Sequence, residues 1–80
     1  MDVQNGRIVK AKAGRDKDRY FAVVGAENEQ ILIADGKTRK LATPKRKNVK
    51  HLVFTDKSVE MNGITDKKLR NVLKEMFGTP

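Results

Sequence analysis

The apolar residues of this chain follow two different spacings, and this contrast constrains the fold more than any other feature. Up to about residue 56 they come in short runs rich in Val, Ile and aromatic residues, with turn-forming residues between the runs. Such runs are typical of small antiparallel β structure. In the last stretch they recur at helical spacing instead. The sequence therefore predicts a β unit followed by one helix.

Three strands are predicted in the first half of the chain. In RIVKAKAG the apolar residues Val9, Ala11 and Ala13 alternate with lysines, and the run ends at Gly14, which permits a tight turn. YFAVVGA is apolar on both faces, as expected for a central strand, and QILIA follows after the polar turn ENE.

Two further strands are predicted downstream. Asp35-Gly36 is a strong signal for a two-residue hairpin. We therefore expect TRKL (residues 38–41) to be the returning strand and HLVFT (residues 51–55) to close the β region. The segment ATPKRKN (residues 42–48) is expected to be an ordered loop, because Pro44 disfavours a central strand.

Five short strands in 80 residues suggest a small, highly curved barrel, because closure removes exposed strand edges. SH3-like and OB-like barrels both fit, and the strand count with one tight hairpin favours the SH3-like form. The expected fold class is mainly β: a small SH3-like barrel of about five strands with one C-terminal α-helix. We expect a single domain over residues 1–80, with the barrel at about 3–56 and the helix at about 66–77.

The predicted helix has an apolar face and recognisable ends. Thr65 is placed as its N-cap, with Asp66 in the first turn, and Gly78 is placed as its C-cap. Packing of the helix against the β unit is the expected role of its apolar face, which consists of Leu69, Val72, Leu73, Met76 and Phe77.

Several classes of function are disfavoured by what the sequence lacks. There is no cysteine, so no disulfide or zinc–thiolate site is possible, and His51 is the only histidine. We expect no metal and no cofactor. No phosphate-binding glycine loop of the P-loop type and no nucleophile paired with a base is present, so we do not expect an enzyme. With no long apolar run, a soluble, cytoplasmic protein without membrane contact is expected.

Charge is the strongest clue to partners. The formal net charge is +8, and residues 37–52 carry seven cations and no carboxylate. Residues 7–20 carry six more cations, beside Asp16 and Asp18. Thirteen of the 18 basic residues thus fall in two segments, and a polyanion is the expected partner. The sequence shows no basic amphipathic helix with exposed Trp or Phe. A membrane surface is therefore a less favoured partner than nucleic acid or an acidic protein.

Two stretches resemble a known family. GRIVKAKAGRDKDRYFAVVGAENEQILIADG (residues 6–36) resembles the KOW motif, a strand, a glycine-containing loop and a second strand. KRKNVKHLVFT (residues 45–55) is similar to the continuation found in KOW-bearing large-subunit ribosomal proteins of the "fourteen-e" group. The resemblance covers residues 3–56, about two thirds of the chain. Asp18 stands where many KOW loops have a second glycine, and the long basic extensions of the eukaryotic members are absent.

The resemblance implies an SH3-like barrel that binds RNA, usually ribosomal RNA, as a compact, ribosome-associated relative involved in translation. The expected role is non-catalytic binding of structured RNA, with the protein acting as a monomer. Four aromatic residues are too few for sequence-specific reading of single strands, and Tyr20 is expected at the edge of the core. Gly14 is expected to shape the loop. The residues expected to contact RNA are Arg15, Lys17, Arg19, Lys37, Arg39, Lys40, Lys45, Arg46, Lys47, Lys50 and His51.

Other partners remain open from sequence. KOW-containing transcription factors use such barrels to contact proteins, so a protein-interaction module of the transcription or translation machinery is the chief alternative. Ribosomal or transcription proteins would then be the partners. DNA is a further alternative, because phosphate contacts alone do not choose between the two nucleic acids.

Overall fold

The computed structural model describes residues 4–78 of the chain. No helix in that range is long and apolar enough to cross a bilayer. The elements are β1 (Arg7–Ala11), β2 (Tyr20–Glu27), β3 (Gln30–Ala34), β4 (Lys45–Asn48), a 3-10 turn (Val49–His51), β5 (Leu52–Ser58) and α1 (Asp66–Phe77).

All five strands belong to one antiparallel sheet with the order β4-β3-β2-β1-β5. The 3-10 turn leads directly from β4 at one edge of the sheet to β5 at the other. Register shifts interrupt the β1–β5 and β2–β3 pairings, and such irregularities bend strands and increase twist. The sheet is thus curved into a small barrel-like fold, and the fold class predicted from sequence is confirmed.

The prediction of a fourth strand at residues 38–41 is wrong, because these residues form no strand. Its backbone is held instead by the Asp35 carboxylate, which accepts hydrogen bonds from the N–H groups of Lys37 (2.9 Å) and Arg39 (2.8 Å). Gly36 has a φ of +78°, but Asp35 does not lie in the left-handed region, so the type I′ hairpin does not form. Residues 35–44 form a loop.

The fourth strand is instead β4, within the segment expected to be a loop. Lys45 pairs with Ile33 and Lys47 with Ile31, so the basic run lies on the sheet. β1 also ends earlier than expected, at Ala11, which leaves Ala13 in the following loop.

Two apolar clusters lie on opposite faces of the sheet. The first fills the inside of the curved sheet, and the second lies between the outer face and α1. β2 contributes to both, since Phe21 and Val23 face inward while Ala22 lies under the helix. This two-sided burial explains why YFAVVGA is apolar throughout. The buried members are Val9, Ala11, Phe21, Val23, Ile31, Ile33 and Leu52 in the first cluster and Ile8, Ala22, Ala34, Leu69 and Leu73 in the second.

α1 has the ends that the sequence predicts. The Thr65 hydroxyl accepts a hydrogen bond from the N–H of Lys68 (3.2 Å). Gly78 is left-handed, with a φ of +58°. At the far end of the helix, Phe77 stacks on Tyr20 with ring centroids 3.7 Å apart, so Tyr20 lies at the edge of the second cluster, as expected.

Replacing Thr65 with alanine should lower the free energy of unfolding by about 1 kcal/mol, because an N-cap oxygen is lost. Thr65→Ser keeps that oxygen, and serine caps helices at least as well as threonine, so this variant should stay within about 0.5 kcal/mol of the parent protein. Urea denaturation of the two variants measures the difference. Equal losses in both would show that the hydroxyl does not cap the helix.

Candidate nucleic-acid interface

The connection between β1 and β2, residues 12–19, forms a compact loop that we call the glycine loop. Gly14 has a φ of +80° and Asp18 a φ of +69°. The loop is closed by backbone hydrogen bonds from Lys17 to Gly14 (3.2 Å) and from Asp18 to Ala11 (2.7 Å). Two left-handed residues thus give the loop a defined shape from which its cations project.

Asp16 connects the glycine loop to residues 37–52, the segment with seven cations, which we call the basic segment. Its side chain is 3% exposed, and its Oδ2 lies 3.3 Å from the Arg39 guanidinium and 3.5 Å from Lys45 Nζ. Lys47 Nζ donates a hydrogen bond to the Ala13 carbonyl oxygen at 3.1 Å. The two cation-rich segments of the sequence are therefore in direct contact in the fold.

The same contacts set the ionisation of Asp16. Burial would raise the pKa of this carboxyl, but the charges and hydrogen bonds of Arg39 and Lys45 outweigh burial and hold the pKa below its ordinary value of 3.8. Asp16 is therefore ionised at neutral pH and acts as a fixed anion beneath the surface cations.

The register of β4 explains why its lysines reach the glycine loop. Residues opposite each other in an antiparallel pair share one face of the sheet. Lys45 and Lys47 therefore lie on the face of Ile33 and Ile31, whose side chains fill the core. Both lysines are half-buried, so their aliphatic stems cover the core while their amines extend to the loop.

The 3-10 turn places Lys50 and His51 beside the start of the glycine loop. The His51 carbonyl oxygen accepts a hydrogen bond from the N–H of Lys12 at 3.0 Å. Asn48 shapes the turn, since its side chain accepts a hydrogen bond from the N–H of Lys50 (3.0 Å). Lys12 is exposed and adjoins Lys50 and His51, although it was not among the residues predicted to contact RNA.

Arg46 is the exception among the expected residues. It lies on the opposite face of β4 from Lys45 and Lys47, opposite Leu32. Its guanidinium pairs with Glu27 at 3.2 Å, and both side chains are more than half exposed. The structure therefore separates Arg46 from the cations that meet the glycine loop.

Carboxylates oppose only part of the basic segment. Among the residues that the structure describes, only two carboxylates, Asp16 and Glu27, form ion pairs with any of the seven cations of residues 37–50. Arg19, from the glycine loop, lies 3.6 Å from Asp35 and donates a hydrogen bond to the Thr38 hydroxyl (2.9 Å). Within residues 4–78, the expected residues that are exposed and form no ion pair are Arg15, Lys17, Lys37, Lys40 and Lys50.

Sequence reasoning assigned α1 only a packing role, but the helix also carries cations beside this group. Arg70 and Lys74 line an open groove together with Arg19 and Lys37. Arg70 and Lys74 are four residues apart, which places them on one face of the helix. This spacing could have been recognised in the sequence as a cationic helix face.

The arrangement can bind anions. Exposed lysines and arginines held on ordered backbone suit phosphate groups. No group of three His, Asp or Glu side chains suited to a metal ion occurs among the residues described. No protein-family model matches this chain.

Proposed function

We propose that this protein binds structured RNA, without catalysis, through a basic surface built around the glycine loop. Ribosomal RNA is the ligand that the KOW resemblance favours, and the protein would then act in the cytoplasm with the ribosome. The observation that supports this proposal most is the contact of two cation-rich segments through Asp16. The basic surface consists of Lys12, Arg15, Lys17, Arg19, Lys37, Arg39, Lys40, Lys45, Lys47, Lys50 and His51.

The basic surface has an internal and an external set of cations. Arg39 and Lys45 share one buried carboxylate, and Lys47 binds a carbonyl oxygen, so these three hold the loop in place. The exposed set extends from this base into solvent. Those cations can neutralise phosphates and release the counterions condensed on RNA, which drives association.

Shape and backbone, rather than base sequence, are the features of RNA that this surface suits. Base stacking needs exposed aromatic rings. Tyr20 is the aromatic residue beside the glycine loop, and its ring already stacks on Phe77. Reading of unpaired bases therefore has no support here, whereas phosphate contacts have many donors.

The glycine loop also supports the KOW resemblance. Asp18 occupies the position at which many KOW loops have glycine. Its φ of +69° is a conformation that glycine adopts freely and that aspartate tolerates better than most residues. The departure from the motif is therefore compatible with the same loop shape.

Removing two exposed cations tests the proposal. Lys17 and Lys40 flank the Asp16–Arg39 contact without taking part in it. Lys17→Gln/Lys40→Gln should weaken binding to a folded ribosomal RNA fragment about tenfold near physiological salt. It should also reduce the slope of log K against log salt by about 1.4 to 1.8, which is two phosphate contacts. Salt titrations of the affinity measure both effects.

Lys57→Gln/Lys68→Gln is the matched control, because it removes the same charge from exposed positions outside the basic surface. Its salt slope should stay near that of the parent protein. Equal losses in both doubles would mean that net charge alone drives binding. An unchanged slope for Lys17→Gln/Lys40→Gln would refute the assignment of RNA binding to the basic surface. If the protein bound duplex DNA or an acidic protein more tightly than RNA, that partner would replace RNA as the proposed ligand.

A further inference from the structure

A groove runs between α1 and the loop that follows β3. Its volume is about 540 Å³, and it is open to solvent. One wall is the helix, with Arg70, Asn71 and Lys74, and the other wall includes Arg19 and Lys37. The groove therefore brings cations from three separate segments of the sequence towards one space.

Three of the cations around the groove are exposed and form no ion pair within residues 4–78: Lys37, Arg70 and Lys74. Arg70 and Lys74 are neighbours along the helix, and Lys67 lies one turn before Arg70 on the same face. Like charges at this spacing destabilise a helix by about 0.2–0.5 kcal/mol per pair. A bound anion would relieve that repulsion.

The two carboxylates that line the groove do not cancel these charges. Asp35 is 7% exposed and already accepts hydrogen bonds from the N–H groups of Lys37 and Arg39, with the Arg19 guanidinium at 3.6 Å. Asp18 lies 3.8 Å from Lys10 Nζ. Lys37, Arg70 and Lys74 therefore remain available to a ligand.

The two walls are fixed relative to each other. Gly36 approaches the first turn of α1 so closely that a Cβ there would overlap the Asp66 carbonyl oxygen. The Asp66 side chain in turn accepts a hydrogen bond from the N–H of Leu41 at 2.7 Å. Groups held in place before binding lose less entropy on binding, so this groove is suited to grip a ligand.

We propose that the groove binds phosphate groups of the same RNA backbone, so that α1 is part of the RNA interface. This inference rests on the proposed function. Arg19 and Lys37 belong to both the basic surface and the groove, which makes the two regions continuous. A backbone that crosses the glycine loop enters the groove between Lys37 and the helix. There the guanidinium of Arg70 can bind a phosphate through two hydrogen bonds, with Lys74 as a second charge.

The test is Arg70→Gln/Lys74→Gln in the full chain, with the same folded ribosomal RNA fragment. Two lost phosphate contacts should reduce the salt slope by about 1.4 to 1.8 and weaken binding about tenfold. Arg70→Lys should keep the slope, because charge is retained, while lowering affinity through the loss of the paired hydrogen bonds. Lys57→Gln/Lys68→Gln is again the control, because Lys68 lies on a different face of the same helix from Arg70, and Lys57 lies on β5.

The outcomes separate this inference from the proposed function. If Lys17→Gln/Lys40→Gln reduces the slope and Arg70→Gln/Lys74→Gln does not, the helix is not part of the interface and the inference is overturned. If only the helix variant reduces the slope, the groove stands and the basic surface fails. If neither variant differs from the control, both are overturned.

Discussion

Replacing Gly36 with alanine should lower the free energy of unfolding by about 3–4 kcal/mol, a large fraction of the stability of a domain of this size. Two costs combine at this position. Gly36 has a φ of +78°, where a side chain costs about 1–2 kcal/mol. The added Cβ would also overlap the backbone of Asp66, so the loop must move away from α1, at a further cost of about 2 kcal/mol.

Gly63→Ala separates these two costs. Gly63 has nearly the same φ, +74°, but within residues 4–78 no atom beyond its chain neighbours lies within 4 Å of the position that its Cβ would take. Urea denaturation should therefore show a loss of about 1–2 kcal/mol for Gly63→Ala, clearly less than for Gly36→Ala. If the two variants lose the same stability, the close contact between the loop and α1 does not exist, and the groove has no fixed walls.

Asp16→Asn is expected to have the second largest effect, lowering the free energy of unfolding by about 2–3 kcal/mol near neutral pH. The substitution keeps the shape of the side chain but removes the charge that Arg39 and Lys45 share. Removing one partner of a buried ion pair leaves the other charges without compensation. The cost stays below the upper values for such pairs because Arg39 and Lys45 retain partial contact with water.

The Asp16 effect should depend on pH in a defined direction. The folded pKa of Asp16 lies below its ordinary value of 3.8, so its carboxylate contributes fully to stability above that value. The contribution is lost as the pH falls through the lowered folded pKa. The difference in free energy of unfolding between the parent protein and Asp16→Asn should therefore be constant from neutral pH down to about 5 and shrink in stronger acid.

Glu27→Gln is the matched control for Asp16→Asn. The Glu27–Arg46 distance of 3.2 Å is almost that of Asp16 to Arg39, but the Glu27 side chain is 54% exposed. Exposed ion pairs contribute little, so this variant should lose less than about 0.5 kcal/mol. A loss as large as that of Asp16→Asn, or a difference for Asp16→Asn that persists at low pH, would contradict the role assigned to the buried carboxylate.

Local signals predicted some elements well. α1 occupies the residues expected from its spacing, because its caps at Thr65 and Gly78 act within one turn of the chain. β2 and β3 were also recognisable, since their apolar runs are continuous and their turn is short. In these cases the determining contacts lie between residues close in sequence.

β4 could not be predicted in this way. A strand with Lys45 and Lys47 on its inner face contradicts the usual pattern of apolar residues facing a core. These lysines are tolerated because Asp16 and the Ala13 carbonyl oxygen meet their amines, and both groups come from a loop about thirty residues earlier. The strand predicted at 38–41 is absent because a local contact holds this backbone in a loop: the Asp35 carboxylate accepts hydrogen bonds from the N–H groups of Lys37 and Arg39.

The candidate site was predictable in composition but not in arrangement. Sequence spacing placed most of the cations in two segments, and the fold brings those segments together. The burial of Asp16 could not be foreseen, because a carboxylate between Arg15 and Lys17 is typical of an exposed loop. The separation of Arg46 from Lys45 and Lys47 could not be foreseen either. It arises because successive residues of a strand face opposite sides of the sheet, and this segment was predicted to be a loop.

The stack of Tyr20 on Phe77 gives the protein a built-in optical probe. The chain has one tyrosine and no tryptophan, so the tyrosine band of its near-ultraviolet circular dichroism, which lies at longer wavelength than the phenylalanine bands, reports on a single phenol ring. That ring lies 3.7 Å from the last residue of α1 while belonging to β2. Undocking of the helix from the sheet would therefore abolish the signal even where the backbone of both elements stays intact, and the unlabelled protein can be followed during such a change.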